Sequence, residues 1–191
     1  MVPEDELVAR AQAGEEEAFA ELVRRYEDRL RAYARMVVRD ETEAEDLTQE
    51  ALVRLYRALP FFRRHASFST WAFRVMNHLC LDHLRRKKRR PEGETPFPEG
   101  EEPEEPPDRR AGPEEMALRT ELRARLLAAL ATLSSEQRAV VVLHDVYGFK
   151  YEEIAAIARC STGTVKSRLF AARNRLRLLL RPLFEEIGKG Q

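Results

Sequence analysis

The sequence is poor in most of the features that announce an enzyme, a secreted scaffold or a membrane protein. It holds only two cysteines, Cys80 and Cys160, far apart and with no CxxC partner. A disulfide framework and a cysteine-rich zinc site are therefore unsupported, and a reducing compartment fits. No apolar run approaches the roughly 20 residues of a membrane helix, and the amino terminus, MVPEDELVARAQAGEEEAF, has no apolar signal core. The expectation is a soluble cytoplasmic protein without direct membrane insertion. No Gly-rich phosphate loop, GxSxG elbow or Cys/His constellation occurs, so no enzymatic site, cofactor or small-molecule substrate is predicted. His78 and Asp82 stand one helical turn apart, with His83 adjacent, but lack a further clustered ligand; no metal site is predicted. Alternating Val/Ile/Thr-rich runs and internal repeats are missing too, which excludes a sheet and a solenoid.

What is present is helical periodicity and a segregation of charge. The 191 residues carry no formal net charge, but basic residues outnumber acidic ones 18 to 16 in 1–90 and 13 to 7 in 116–191, while 91–115 holds 2 against 10. A basic carboxyl-terminal part is masked by an acidic middle. Seven of the ten prolines lie in 91–113, PEGETPFPEGEEPEEPPDRRAGP, a composition that cannot build a core. This predicts an all-α protein of two small helical domains, 1–90 and 114–191, joined by an acidic Pro/Glu-rich linker over 91–113.

Within 1–90, Asp40 is a plausible cap, and Leu47, Ala51, Leu55 and Leu59 form a stripe that Pro60 ends. PFFRRHAS is a short loop. FSTWAFRVMNHLCLDHLRRKKRR then reads as one helix, capped by Ser67 or Ser69 and ending in cations. After Pro113, PEEMALRTELRARLLAALATL is a helix. LSSEQRAVVVLHDVYG is a second one, opened by the Ser134 to Gln137 capping pattern and closed by Gly148. YEEIAAIA, the turn Arg159-Cys160-Ser161 and the long helix beginning at STGTVKSRLF make a helix-turn-helix.

That last helix has two stripes. Val165, Leu169, Ala172, Leu176 and Leu179 are spaced for a buried face, and one place further round stand Lys166, Phe170, Arg173 and Arg177. A solvated face has no use for a large ring, whereas a helix seated in the DNA major groove does. Lys166 suits guanine acceptors or a phosphate, Ser167 either, and Phe170 a thymine methyl. Arg168, Arg173 and Arg177 suit phosphates.

The segment LSSEQRAVVVLHDVYGFKYEEIAAIARCSTGTVKSRLFAARNRL resembles the carboxyl-terminal domain of bacterial sigma factors of the extracytoplasmic-function (ECF) type, with YEEIAAIA followed by GTVKSRL as the most specific part. EAEDLTQEALVRLYRAL resembles the helix those factors lay against the clamp helices of RNA polymerase, and FSTWAFRVMNHLCLDHLRRKKRR their start-proximal promoter helix. The resemblance implies a transcription initiation factor whose partners are core RNA polymerase (clamp helices and flap), promoter DNA and an anti-sigma factor. It implies clamp contacts from Asp46, Gln49, Glu50 and Arg54, of which the first three share one helix face. Minus-10 contacts would come from Phe62, Arg63, Arg64, His65, Phe68, Asn77, His78, Arg85 and Arg86; minus-35 contacts from Thr164, Lys166, Ser167, Arg168, Phe170, Arg173 and Arg177. The family commonly has Asn where His78 stands, and often an aromatic where Leu52 stands. Several loop aromatics, Trp71 among them, are expected in the core. The linker carboxylates Glu101, Glu102, Glu104 and Glu105 are expected to mimic nucleic acid in a basic polymerase channel. The rival reading is a free-standing, dimeric helix-turn-helix regulator, which leaves the DLTQEAL helix and the aromatic loop without a task.

Overall fold

A computed structural model describes residues 2–63, 65–89 and 113–187. Among these there are eight α-helices and no strand. They are α1 (Glu4–Gln12), α2 (Glu16–Val38), α3 (Glu41–Ala58), α4 (Phe68–Arg89), α5 (Pro113–Ala131), α6 (Ser135–Val141), α7 (Tyr151–Ala158) and α8 (Thr162–Ile187). None is long and apolar enough to cross a membrane. Arg64 and the acidic segment, with its four singled-out glutamates, lie outside the described residues.

The local signals act as expected. Asp40 accepts a hydrogen bond from the Glu43 amide at 2.8 Å and opens α3, whose stripe Leu47, Ala51 and Leu55 is buried, as is Leu59 just past its end. Pro60 lacks an amide hydrogen, and the chain leaves α3 through a 3-10 turn, Leu59–Phe61. Of the two candidate caps for α4, Ser67 is the one used: its hydroxyl accepts from the Thr70 amide at 3.1 Å. Ser134 and Gln137 form a reciprocal capping box at the start of α6. Gly148, at φ 72°, supplies the left-handed turn before α7.

One local feature goes beyond the pattern. Helix α6 does not run straight to its end; Val142–Val146 widens into a π turn, which brings His144 and Asp145 toward α8.

Helices α1 to α4 pack around Leu22, Leu30, Tyr33, Phe73 and Met76, all 2% exposed or less. Helices α5 to α8 pack around Val140, Leu143, Ile154, Ile157, Val165 and Leu169. These two sets of buried side chains are continuous with one another, because α4 also lies against α7 and α2 against α6. Cys80 is fully buried, and burial pushes its thiol up to about 12, which leaves it unreactive as a nucleophile.

Candidate nucleic-acid interface

The helix-turn-helix is built from α7, a turn at Arg159 with φ 50°, and α8. Ile154 and Ile157 on α7 and Val165, Leu169 and Ala172 on α8 are buried against each other and α6. This anchors the first three turns of α8. The stripe then runs out: Leu176 is half-buried and Leu179 is 46% exposed, contrary to the buried role its spacing suggests. Beyond Ala172, Arg175 Nε donates to the hydroxyl of Thr132, the residue that follows α5, at 3.1 Å.

On the opposite face, Lys166, Ser167, Phe170 and Arg177 are exposed, Phe170 at 70%. Ser161 caps α8 by accepting from the Thr164 amide at 3.0 Å, and the Thr164 and Ser161 hydroxyls lie 2.9 Å apart. Ser167 donates its hydroxyl hydrogen to the Thr164 carbonyl at 3.0 Å, so it faces outward as an acceptor. Lys166 Nζ sits 5.9 Å from the centre of the Tyr151 ring. Arg168 is half-buried beside Cys160.

Arg173 differs from the rest of the stripe. Its guanidinium is bound to both carboxylate oxygens of Asp145, with Nε 3.2 Å from Oδ2, and its Nη2 lies 2.9 Å from His144 Nδ1. Burial works to raise the Asp145 pKa, but the hydrogen bonds from Arg173 and His144 outweigh it and hold the carboxyl below its ordinary value. No sequence signal links Asp145 to Arg173; the π turn makes the pair.

The amino-terminal candidates divide into two sets. Arg63, His65, Arg85 and Arg86 are exposed and Phe62 and His78 half-buried. His78 Nε2 is 3.0 Å from Asp82, while His83 turns to Glu43, also at 3.0 Å, so the two histidines do not converge. Among the described residues no cluster of three or more metal-ligating side chains is brought together. Phe68 is 4% exposed, edge-on to Tyr26 and Trp71, and Phe62 stacks on Trp71 with centroids 4.6 Å apart. Asn77 is 2% exposed; its Oδ1 accepts from the Tyr33 hydroxyl at 2.8 Å and its Nδ2 points to the Ile157 carbonyl at 3.4 Å. Phe61, at 83%, is the ring the loop leaves bare.

On α3, Asp46, Gln49, Glu50 and Arg54 are all exposed, with Arg54 bound to Glu50. Val53 and Tyr56, 47% and 53% exposed, extend this acidic face with an apolar margin that the sequence reading passed over. The signal was available, since Val53 follows Gln49 and Glu50 by one turn.

An exposed acidic helix face, an aromatic loop and a cationic recognition helix in one all-helical chain match one family throughout. Residues 22–90 match the Sigma-70 region 2 family, and residues 123–176 match Sigma-70, region 4. The RNA polymerase sigma-H factor of Pseudomonas aeruginosa is 33% identical over 189 residues, covering 96% of each chain. The ECF RNA polymerase sigma-E factor of Escherichia coli K12 is 34% identical over 185 residues, 93% of this chain and 94% of that one. The chain belongs to the ECF sigma factors of the sigma-70 family.

It is a promoter-specific transcription initiation factor that works with RNA polymerase, and the free-standing regulator is not favoured. Two solved structures are similar over most of the chain. CnrH, in complex with the cytosolic domain of CnrY, has a TM-score of 0.67 and 28% identity, covering 92% of this chain and 96% of its own. RpoE of Bartonella quintana, in complex with the anti-sigma factor NepR, has a TM-score of 0.68 and 27% identity, covering 85% and 96%.

Proposed function

We propose that residues 1–90 form the unit that binds core polymerase and opens the start-proximal promoter element, that 91–113 tether it, and that 114–191 read the upstream element. The observation that carries the upstream assignment is Phe170. A large ring 70% exposed on the face that also holds Lys166 and Ser167, directly beside a fully buried stripe, suits a base edge in the major groove. Thr164, Arg168 and Arg177 hold phosphates around it. Arg173 is spoken for by Asp145, so its part is to brace the recognition helix and reach the backbone only at the cost of that pair.

Asp46, Gln49, Glu50 and Arg54 meet the clamp helices, with Val53 and Tyr56 as apolar margin. Phe61, Phe62, Arg63, His65, His78, Arg85 and Arg86 capture the displaced strand by stacking and by phosphate contact. Asn77 joins them only when the contact with Ile157 is released. The protein contributes specificity and strand capture in the cytoplasm, and the polymerase performs the chemistry. An anti-sigma factor is its expected regulator, as the sigma factor RpoE of Bartonella quintana is paired with the anti-sigma factor NepR.

The test is transcription from genomic fragments by purified core polymerase with and without the protein, with mapped start sites. Core-dependent starts that share a spaced pair of upstream motifs are expected, and Phe170→Ala should abolish selection of the more distant motif. DNA binding by the protein alone with no core-dependent starts would overturn the reading.

A further inference from the structure

The loop proposed to capture the displaced strand is tied to a residue far from it in the chain. Gln12 is the last residue of α1, and its side-chain amide reaches the 3-10 turn that follows α3. Nε2 donates to the Leu59 carbonyl at 3.0 Å and to the Phe62 carbonyl at 2.8 Å. An amide nitrogen carries two hydrogens, so each carbonyl takes one. The Leu59 carbonyl also accepts from the Phe62 amide at 3.0 Å, which closes the turn. The Phe62 carbonyl lies past the end of that turn, where a backbone acceptor has no helical partner.

These two carbonyls bracket Pro60 and Phe61. Because Phe61 is 83% exposed, packing does little to fix its ring, and its direction is inherited from the backbone on either side. The ends of the turn are anchored by side chains: Leu59 is buried, and Phe62 stacks on Trp71. Between them the peptide planes are oriented by the amide of Gln12. Packing does not replace it there, since a cleft of about 290 Å³, lined in part by Gln12, Gly14, Phe19, Tyr56 and Pro60, adjoins the tie.

Gln12 is itself a fixed point. Leu7 and Val8 bury α1 against α2, the Tyr26 hydroxyl donates to Glu4, and Arg25 Nη1 donates to the Val2 carbonyl at 3.0 Å. Gly14, at φ 93°, supplies the left-handed turn into α2, and Arg10 pairs with Glu15 across it at 2.8 Å. The chemistry of the tie selects an amide. A carboxylate of the same shape has acceptors only, and would set its charge against two carbonyl oxygens.

We propose that Gln12 is a positioning residue for strand capture: by tying the Leu59 and Phe62 carbonyls it holds Phe61 outward, beside Phe62 and Arg63, before an unstacked base arrives. A loop ordered in advance loses less freedom on binding, so the captured strand is held more tightly. The consequence rests on the initiation-factor reading, whereas the tie is a property of the free chain.

The test compares the wild-type chain with Gln12→Ala, Gln12→Glu and Gln12→Asn, each assembled with core polymerase. The template is a promoter mapped by the transcription experiment above, once as a duplex and once with its start-proximal element mismatched and so already open. On the duplex, initiation should fall about 10-fold or more with Gln12→Ala, the effect of two lost hydrogen bonds, and further with Gln12→Glu. Gln12→Asn, one methylene short, keeps one bond at most and should fall in between. On the open template the losses should shrink to about 2-fold or less, because the strands are already apart. In the free chain the reporter is Trp71, the one tryptophan of the sequence. Acrylamide should quench it more strongly in Gln12→Ala and Gln12→Glu, as the Phe62 ring stacked on it loosens, with helical circular dichroism unchanged because Gln12 is half-buried and outside the core.

Equal losses on the two templates would make Gln12 a residue of general stability or of polymerase binding and overturn the proposal, as would full activity of Gln12→Ala and Gln12→Glu on the duplex. Unchanged quenching of Trp71 would overturn the tie itself. Absence of core-dependent initiation by the wild-type chain on either template would sink the initiation-factor reading, and the role of Gln12 in capture with it, while the quenching would still judge the tie.

Discussion

Helices α4 and α8 are the two proposed DNA readers, and they solve the problem of presenting side chains in opposite ways. On α8 one stripe is buried and the next is open: Val165, Leu169 and Ala172 face the core while Lys166, Ser167 and Phe170 face out. On α4 the division fails, because the helix is covered by α2 and α3 on one side and by α7 on another. Phe68 and Asn77, both expected at DNA, end inside. A helix that packs on one side only shows its function in its periodicity. A helix enclosed on several sides has its candidate residues sorted by neighbours that its own sequence does not mention.

That contrast can be broken or sharpened by substitution. The largest effect is expected at the enclosed helix. Phe73→Ala empties the middle of the continuous core and should cost about 3–5 kcal/mol of stability, measured by urea unfolding, with little change from that value if α4 is as enclosed as described. A loss below about 1 kcal/mol would mean that the halves do not share this core.

The next effect belongs to the open helix and should leave stability untouched. Phe170→Ala, which removes a 70% exposed ring, should lower affinity for the upstream element by about 10- to 100-fold with no change in Tm. A lower Tm with unchanged affinity would make Phe170 a packing residue and erase the contrast.

A smaller, diagnostic difference separates two cations of the same stripe. Lys166→Ala should reduce the slope of log affinity against log salt by about 1. Arg173→Ala should reduce it less, because Arg173 already holds Asp145. Equal slopes would show that DNA displaces Asp145.

The smallest effect is the pH dependence of that pair. The Asp145 carboxyl has its pKa held below the ordinary value of 3.8 in the folded protein. Its contribution to stability is therefore present above that ordinary value and is lost as the pH falls through the lower folded one. Asp145→Asn should flatten this acid limb slightly in thermal unfolding between neutral and strongly acidic pH, the more modestly because the side chain is 37% exposed.

Much of the fold was legible because its signals are short-range. Asp40, Ser67, Ser134 with Gln137, and Gly148 each act on backbone groups within a few residues, so local pattern suffices for them. The stripe on α3 and the first three turns of α8 were legible for the same reason. Leu179 was misplaced because period alone does not say where a partner helix stops. The π turn, the Asp145 clamp on Arg173 and the burial of Arg138 were illegible. Each depends on residues 28 or more positions apart, or on a coil width that hydrophobic spacing does not encode.

By itself, then, the sequence determined an all-helical chain, its helix ends, its acidic and prolyl middle, the sigma-family order of its segments and the outward face of the recognition helix. These follow from backbone capping, helical period and composition, all of which act along the chain. Only the tertiary structure decided that Asn77 turns inward to Tyr33 and Ile157, that Tyr147 and Phe149 close over Phe73, and that Arg138 is left buried beside Arg39. Those outcomes depend on which surfaces meet, and desolvation and hydrogen bonding between surfaces are set by three-dimensional neighbours, not by position in the chain.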